Sequence, residues 1–229
     1  DVLSASYDDS KIAWYENEGN GNFGVQQIIT MAADAWSVYA ADLDGDGDID
    51  VLSASANDDK IAWYENEGSG NFGEEQIITT NANGARSVYT ADLDNDGDMD
   101  VLSASEDDNK IAWYENEGSG NFGGQQIITT TVYSIRSVYA ADLDNDGDMD
   151  VLSASSEDNK IAWYENEGSG NFGVQQIITT AADYANSVYA ADLDNDGDMD
   201  VLSASYEDNK IAWYENDGSG NFGEQQIIT

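Results

Sequence analysis

The sequence has no cysteine and no histidine, and only 7 lysines and arginines among its 229 residues. Without cysteine there is no disulfide framework and no thiol chemistry. Without histidine the usual general base is missing, as is the commonest transition-metal ligand. The few basic residues form no patch able to neutralise phosphates, which argues against nucleic acid as a partner. No apolar run approaches the length that spans a bilayer, so membrane insertion is not expected. No signal peptide is visible and the chain does not begin with methionine. It therefore reads as a mature fragment or the ordered part of something longer.

What the sequence has in excess is negative charge. Its 47 aspartates and glutamates give a formal net charge of -40. Such a charge destabilises a compact state by self-repulsion unless something neutralises it. Acidic chains are often disordered. Here 40% hydrophobic residues, with 6 Trp and 13 Tyr, supply a core instead. Bound cations reconcile the two facts.

An internal repeat sets the architecture. The string Lys-Ile-Ala-Trp-Tyr-Glu-Asn begins at Lys11, Lys60, Lys110, Lys160 and Lys210, a period of 49 or 50 residues. Each unit reads as four short strands, for example 87–91, 101–105, 111–115 and 125–129. They are rich in Val, Ile, Tyr, Trp and Thr and bounded by Gly, Asn and Asp clusters. No stretch keeps a helical period. Four strands per unit of this length predict an all-β fold, a β-propeller of four-stranded antiparallel blades. Residues 1–229 are expected to form a single domain with units 1–30 (partial), 31–79, 80–129, 130–179 and 180–229. The first blade lacks its innermost strand. Self-association with another chain is one way to complete it, and a gap or a longer array are others.

Between strands one and two lies a nine-residue loop, Asp42-Leu43-Asp44-Gly45-Asp46-Gly47-Asp48-Ile49-Asp50. It recurs at 92–100, 142–150 and 192–200 with Asn at its fourth position. Five carboxylates in nine residues call for a cation, and calcium takes six to eight hard oxygen ligands in flexible geometry. The loop is not an EF-hand: Ser53 stands where the bidentate glutamate would be, and no helices flank it.

The run Ser87-Val88-Tyr89-Thr90-Ala91-Asp92-Leu93-Asp94-Asn95-Asp96-Gly97-Asp98-Met99-Asp100-Val101-Leu102 resembles the FG-GAP or VCBS-type repeats of integrin-like propellers. The turn Asn116-Glu117-Gly118-Ser119-Gly120-Asn121-Phe122 resembles that family's Asn-Asp-Gly-x-Gly-x-Phe. The resemblance implies about four Ca2+ ions, one per complete loop. Side chains at loop positions 1, 3, 5 and 9 would bind them: Asp42, Asp44, Asp46 and Asp50; Asp92, Asp94, Asp96 and Asp100; Asp142, Asp144, Asp146 and Asp150; Asp192, Asp194, Asp196 and Asp200. Position 7, occupied by Asp48, Asp98, Asp148 and Asp198, would offer its backbone carbonyl. The resemblance also implies an extracellular or cell-surface setting. The chain departs from the family where Phe-Gly and Gly-Ala-Pro would stand; it has a variable residue plus Ser, and Ser-Ala-Ser.

The copies differ in two places, residues 31–36 with their equivalents 81–86, 131–136 and 181–186, and the spot after strand two at Tyr7, Ala56, Glu106, Ser156 and Tyr206. In an antiparallel blade these two loops share one end and the aspartate loops share the other. The variable end carries Trp36, Arg86, Tyr133, Arg136 and Tyr184, residue types enriched at binding hot spots. The expectation is a calcium-stabilised binding or adhesion module whose protein or glycan partner meets this end. A propeller lectin with equivalent pockets in each blade, and a structural spacer, are the alternatives. Five-fold copies of acidic residues do not resemble a single catalytic constellation, and an enzyme is not expected.

Overall fold

A computed structural model describes residues 1–31 and 34–229. Ala32 and Ala33, in the first of the variable segments, lie outside the described residues. All regular elements among the described residues are β-strands. Four antiparallel sheets have four strands each in sequential order, and the first sheet has three. A short two-stranded ribbon, Asn17–Gly19 with Asn22–Phe23, accompanies the first. In the third sheet the strands are Ala85–Ala91, Asp100–Ser105, Lys110–Tyr114 and Gln126–Thr129, and the others repeat the pattern. The expected strands are met within one or two residues.

The second strand of each middle sheet is buried on both faces. Asp50–Ser55, Asp100–Ser105 and Asp150–Ser155 have no exposed position. Both faces are covered because each sheet is sandwiched between its neighbours. The Ser-Ala-Ser stretch is small enough for close approach, and the buried hydroxyl of its first serine is satisfied in each of these sheets. Ser53, Ser103 and Ser153 donate to the carbonyls of Ala62, Ala112 and Ala162 at 3.2, 3.4 and 3.1 Å.

Each core is shared between successive sheets. One cluster joins Leu52, Ile61 and Trp63 of the second sheet to Val88, Val101 and Tyr114 of the third, and the same set recurs along the chain. Trp63 meets Phe122 edge-on at 6.4 Å between ring centres. The repeated indoles Trp63, Trp113 and Trp163 are each 3% exposed, so they are core and not platforms for sugars. Neighbouring sheets meet mainly along their first strands, where Tyr39, Tyr89, Tyr139 and Tyr189 stack at 4.7, 4.5 and 4.8 Å. Among the described residues nothing covers the outer face of the last sheet. Leu193 is 43% exposed, whereas Leu93 and Leu143 are fully buried.

Candidate functional site

The aspartate loops connect the first strand of each sheet to the second. Their fourth and sixth positions have positive φ. Asn95, Asn145 and Asn195 sit at 65, 61 and 67°, values that Asn tolerates better than most residues. Gly97, Gly147 and Gly197 sit at 101, 98 and 104°, where a side chain would be strained. These two reversals curl the loop so that alternate aspartates face inward.

In each loop, three carboxylates bring ligand oxygens within 4.8 Å of one another: Asp42, Asp44 and Asp50; Asp92, Asp94 and Asp96; Asp142, Asp144 and Asp146; Asp192, Asp194 and Asp200. Taken together these are loop positions 1, 3, 5 and 9. Position 7 stands apart from the groups. Asp148 and Asp198 instead accept from Asn95 and Asn145 of the preceding loop, the second at 2.7 Å.

Position 9 has a second role. Asp50 accepts from the backbone N–H of Leu43, and with its other oxygen from that of Asn66, both at 2.8 Å. Asp100 and Asp150 repeat the arrangement and are fully buried. One carboxylate thus pins the aspartate loop to the Asn-Glu-Gly-Ser-Gly turn. That turn's asparagine ties in the preceding sheet. Asn116 donates to the carbonyl of Leu43 at 2.8 Å and to that of Met99 at 3.1 Å, so it bridges two aspartate loops. Asn166 and Asn216 do the same one and two repeats later. The repeated asparagine was visible in the sequence, but its reach across the sheet boundary was not.

The electrostatics fit a cation. Two carboxylates 4.8 Å apart repel by about 1 kcal/mol in bulk water, and by about 3 kcal/mol at an effective dielectric constant near 20. Burial raises the carboxyl of Asp50 to about 6 and those of Asp100 and Asp150 to about 7. The charges of their neighbours at positions 3 and 5 add to this, and two backbone N–H bonds partly oppose it. Asp94 and Asp144 are also raised, first by burial and then by the adjacent aspartates. Asp142 Oδ1 is buried with no hydrogen-bond partner among the described residues. A metal ion held by these groups would supply what the oxygens lack.

The two variable loops lie together at the other end of the sheets. The N–H groups of Glu106, Ser156 and Tyr206 donate to the carbonyls of Gly84, Ser134 and Tyr184. The register of strand one slips between Ala85 and Ser87, and likewise at Ala35/Ser37, Ile135/Ser137 and Ala185/Ser187. The bulged residues are Trp36, Arg86, Arg136 and Asn186, the positions at which the copies differ. A bulge frees a side chain from the sheet's alternation and re-aims it.

Four of the five candidate partner-binding residues make contacts in pairs here. Arg86 lies over the Trp36 ring at 3.5 Å, and Arg136 donates to the Tyr184 hydroxyl at 2.8 Å. Tyr133 is 58% exposed and stands apart from these pairs. Tyr7, Glu106 and Tyr206 join them. Tyr7 packs on Trp36 at 4.7 Å, and Tyr206 on Tyr184 at 5.9 Å. Tyr7, Glu106 and Tyr206 occupy the second variable spot, so chain variation was the signal that marked them. The repeated lysines pair with the aspartate two residues earlier at 2.7 to 2.8 Å.

Comparison with solved structures finds the same fold at low identity. V. cholerae biofilm matrix protein Bap1 is 24% identical, with a TM-score of 0.53, over 93% of this chain and 35% of that one. Two crystals of BBS1N in complex with ARL6DN, soaked with lead and with mercury, align at 14 and 13% identity with TM-scores of 0.56 and 0.58. They cover 84% of this chain and 55 and 56% of those chains. The chain therefore spans about half of BBS1N, and about a third of Bap1. No curated protein matches it. The model of the FG-GAP-like repeat matches residues 1–53, 42–103, 92–153, 142–203 and 192–229, each match including at least one complete aspartate loop. The chain belongs to the FG-GAP-like repeat family.

Proposed function

We propose that this chain is a calcium-stabilised binding module, a β-propeller in which the aspartate loops hold the scaffold and the variable end meets a partner. The observation that carries the reading is the position-9 aspartate. As Asp50 and Asp200 it belongs to a carboxylate group able to hold a metal, and in all four loops it fixes the turn of its own sheet. Through Asn116 and its equivalents that turn reaches the preceding loop. A bound cation would therefore brace successive sheets as well as the loop that ligates it.

Calcium suits the site because the grouped donors are all carboxylate oxygens and the loop carries no histidine or cysteine. Sites of this kind in extracellular modules work at millimolar calcium, which favours a secreted or surface-exposed setting. The stacking of the four first-strand tyrosines supports a fan of sheets converging on one edge, as in a propeller of residues 1–229. Binding, and not catalysis, is the activity this arrangement favours. A lectin with one equivalent pocket per blade is disfavoured by the burial of Trp63, Trp113 and Trp163. Recognition falls instead to the end where the repeats differ.

Calorimetric titration of metal-stripped protein tests the metal assignment. We expect about four calcium ions per chain, one for each group of aspartates. Stoichiometry near zero at millimolar calcium would overturn it.

A further inference from the structure

The chain has only two arginines, Arg86 and Arg136, and both occupy the same bulge position in adjacent sheets. They share one carboxylate. Glu106 Oε1 lies 2.8 Å from Arg136 Nη2, and its Oε2 lies 2.9 Å from Nη1 of the same guanidinium. Arg86 Nη1 is 3.5 Å from Oε2. Among the described residues no other carboxylate lies within ion-pair distance of either guanidinium. Two positive charges therefore face one negative charge, and the deficit is one carboxylate.

The two arginines are not equally engaged. Arg136 is held on every side: Nε donates to Ser156 Oγ at 3.1 Å, and Nη2 to the Tyr184 hydroxyl at 2.8 Å. Arg86 rests on the Trp36 ring and donates no hydrogen bond to a described residue. Its side chain is 18% exposed, so solvent and ligands reach it. Burial and the nearby Arg136 charge lower its pKa, as expected for a guanidinium short of a counter-charge. Beside it, Tyr7 and Trp36 are 42 and 41% exposed and offer rigid amphipathic surface.

We propose that Arg86, with Trp36 and Tyr7 beside it, binds a carboxylate-bearing sugar, the uronate unit of an acidic glycan. The proposal rests on the reading of the variable end as the partner face and names the ligand class. The guanidinium fork accepts a carboxylate in bidentate geometry. Tyr7, with the part of Trp36 that Arg86 leaves open, would receive the apolar face of the sugar ring. The chain's acidic excess does not forbid this. The aspartate loops lie at the far end of seven-residue first strands, roughly 20 Å away. The screening length in physiological salt is about 8 Å. At the near end, Asp9, Asp58, Asp108, Asp158 and Asp208 are each paired with a lysine. Asp8, Asp59, Asp107, Glu157 and Glu207 of the same loops make no ion pair among the described residues, so the positive charge is confined to the Arg86 side of this end.

The test is calorimetric or NMR titration of the whole chain, in calcium, with trigalacturonate, its methyl ester and a neutral galactose trisaccharide. We expect the free acid to bind about tenfold or more tightly than the ester. We expect Arg86→Gln to abolish that preference while the melting temperature in calcium stays unchanged. Equal binding of all three sugars, lost in Trp36→Ala, would overturn the carboxylate assignment and leave the partner face standing. No binding of any at ~10 mM would overturn the sugar assignment altogether. The calcium scaffold is judged separately, by the melt of the same samples.

Discussion

Gly120 shows how much a single residue can carry in a repeat of this kind. Its φ is +69°, and a Cβ built there would lie 2.4 Å from Trp63 of the preceding sheet. Gly70, Gly170 and Gly220 face Trp14, Trp113 and Trp163 in the same way. Gly120→Ala therefore combines left-handed strain with overpacking against a buried indole, and should destabilise the chain by about 2 to 5 kcal/mol. Gly124→Ala, where nothing lies within 4 Å, should stay within about 0.5 kcal/mol of the parent. Urea midpoints of the two variants check this. The sequence showed that the Gly-Ser-Gly turn needs glycine, because the copies keep it and turns favour positive φ. It did not show the indole of the neighbouring sheet, since periodicity within one repeat says nothing about what packs on it from the next.

At the scale of elements, strands were legible and their irregularities were not. Strand-forming residues between Gly, Asn and Asp clusters marked every strand of the middle sheets, and the alternation of connections put the two variable loops together. The bulge at Arg86 left no local signal, because an extra residue in one strand is defined only by its partner across the ladder. The bridging asparagines were hidden for a similar reason. Asn116 contacts Leu43, 73 residues earlier. Asn116→Ala strips a donor from two loop carbonyls, one of them in a buried hydrogen bond, and should cost about 2 to 4 kcal/mol. It should also weaken calcium binding at the loops on either side. Asn17→Ala, at an exposed copy of the same position, should leave both unchanged. Thermal melts and calcium titrations of the pair separate the bridge from a general effect of losing the amide.

For the molecule as a whole, the net charge of -40 is the feature that most needs an explanation. The sequence supplied the aspartate spacing, the repeat period and the strand order. It could not place position 9 at the junction of loop and turn, because that depends on the sheet already being formed. The four carboxylate groups concentrate repulsion in the loops that join strands one and two. Calcium at a hundredfold over its dissociation constant stabilises by about 2.7 kcal/mol per site, or roughly 11 kcal/mol over four independent sites. That is comparable with the whole stability of a typical domain. The most direct test is the melting temperature of the chain in excess calcium against excess EDTA at equal ionic strength. If calcium braces the sheets, chelation lowers the transition steeply or abolishes it, and added calcium restores it. An identical melt in EDTA and in calcium would contradict the account.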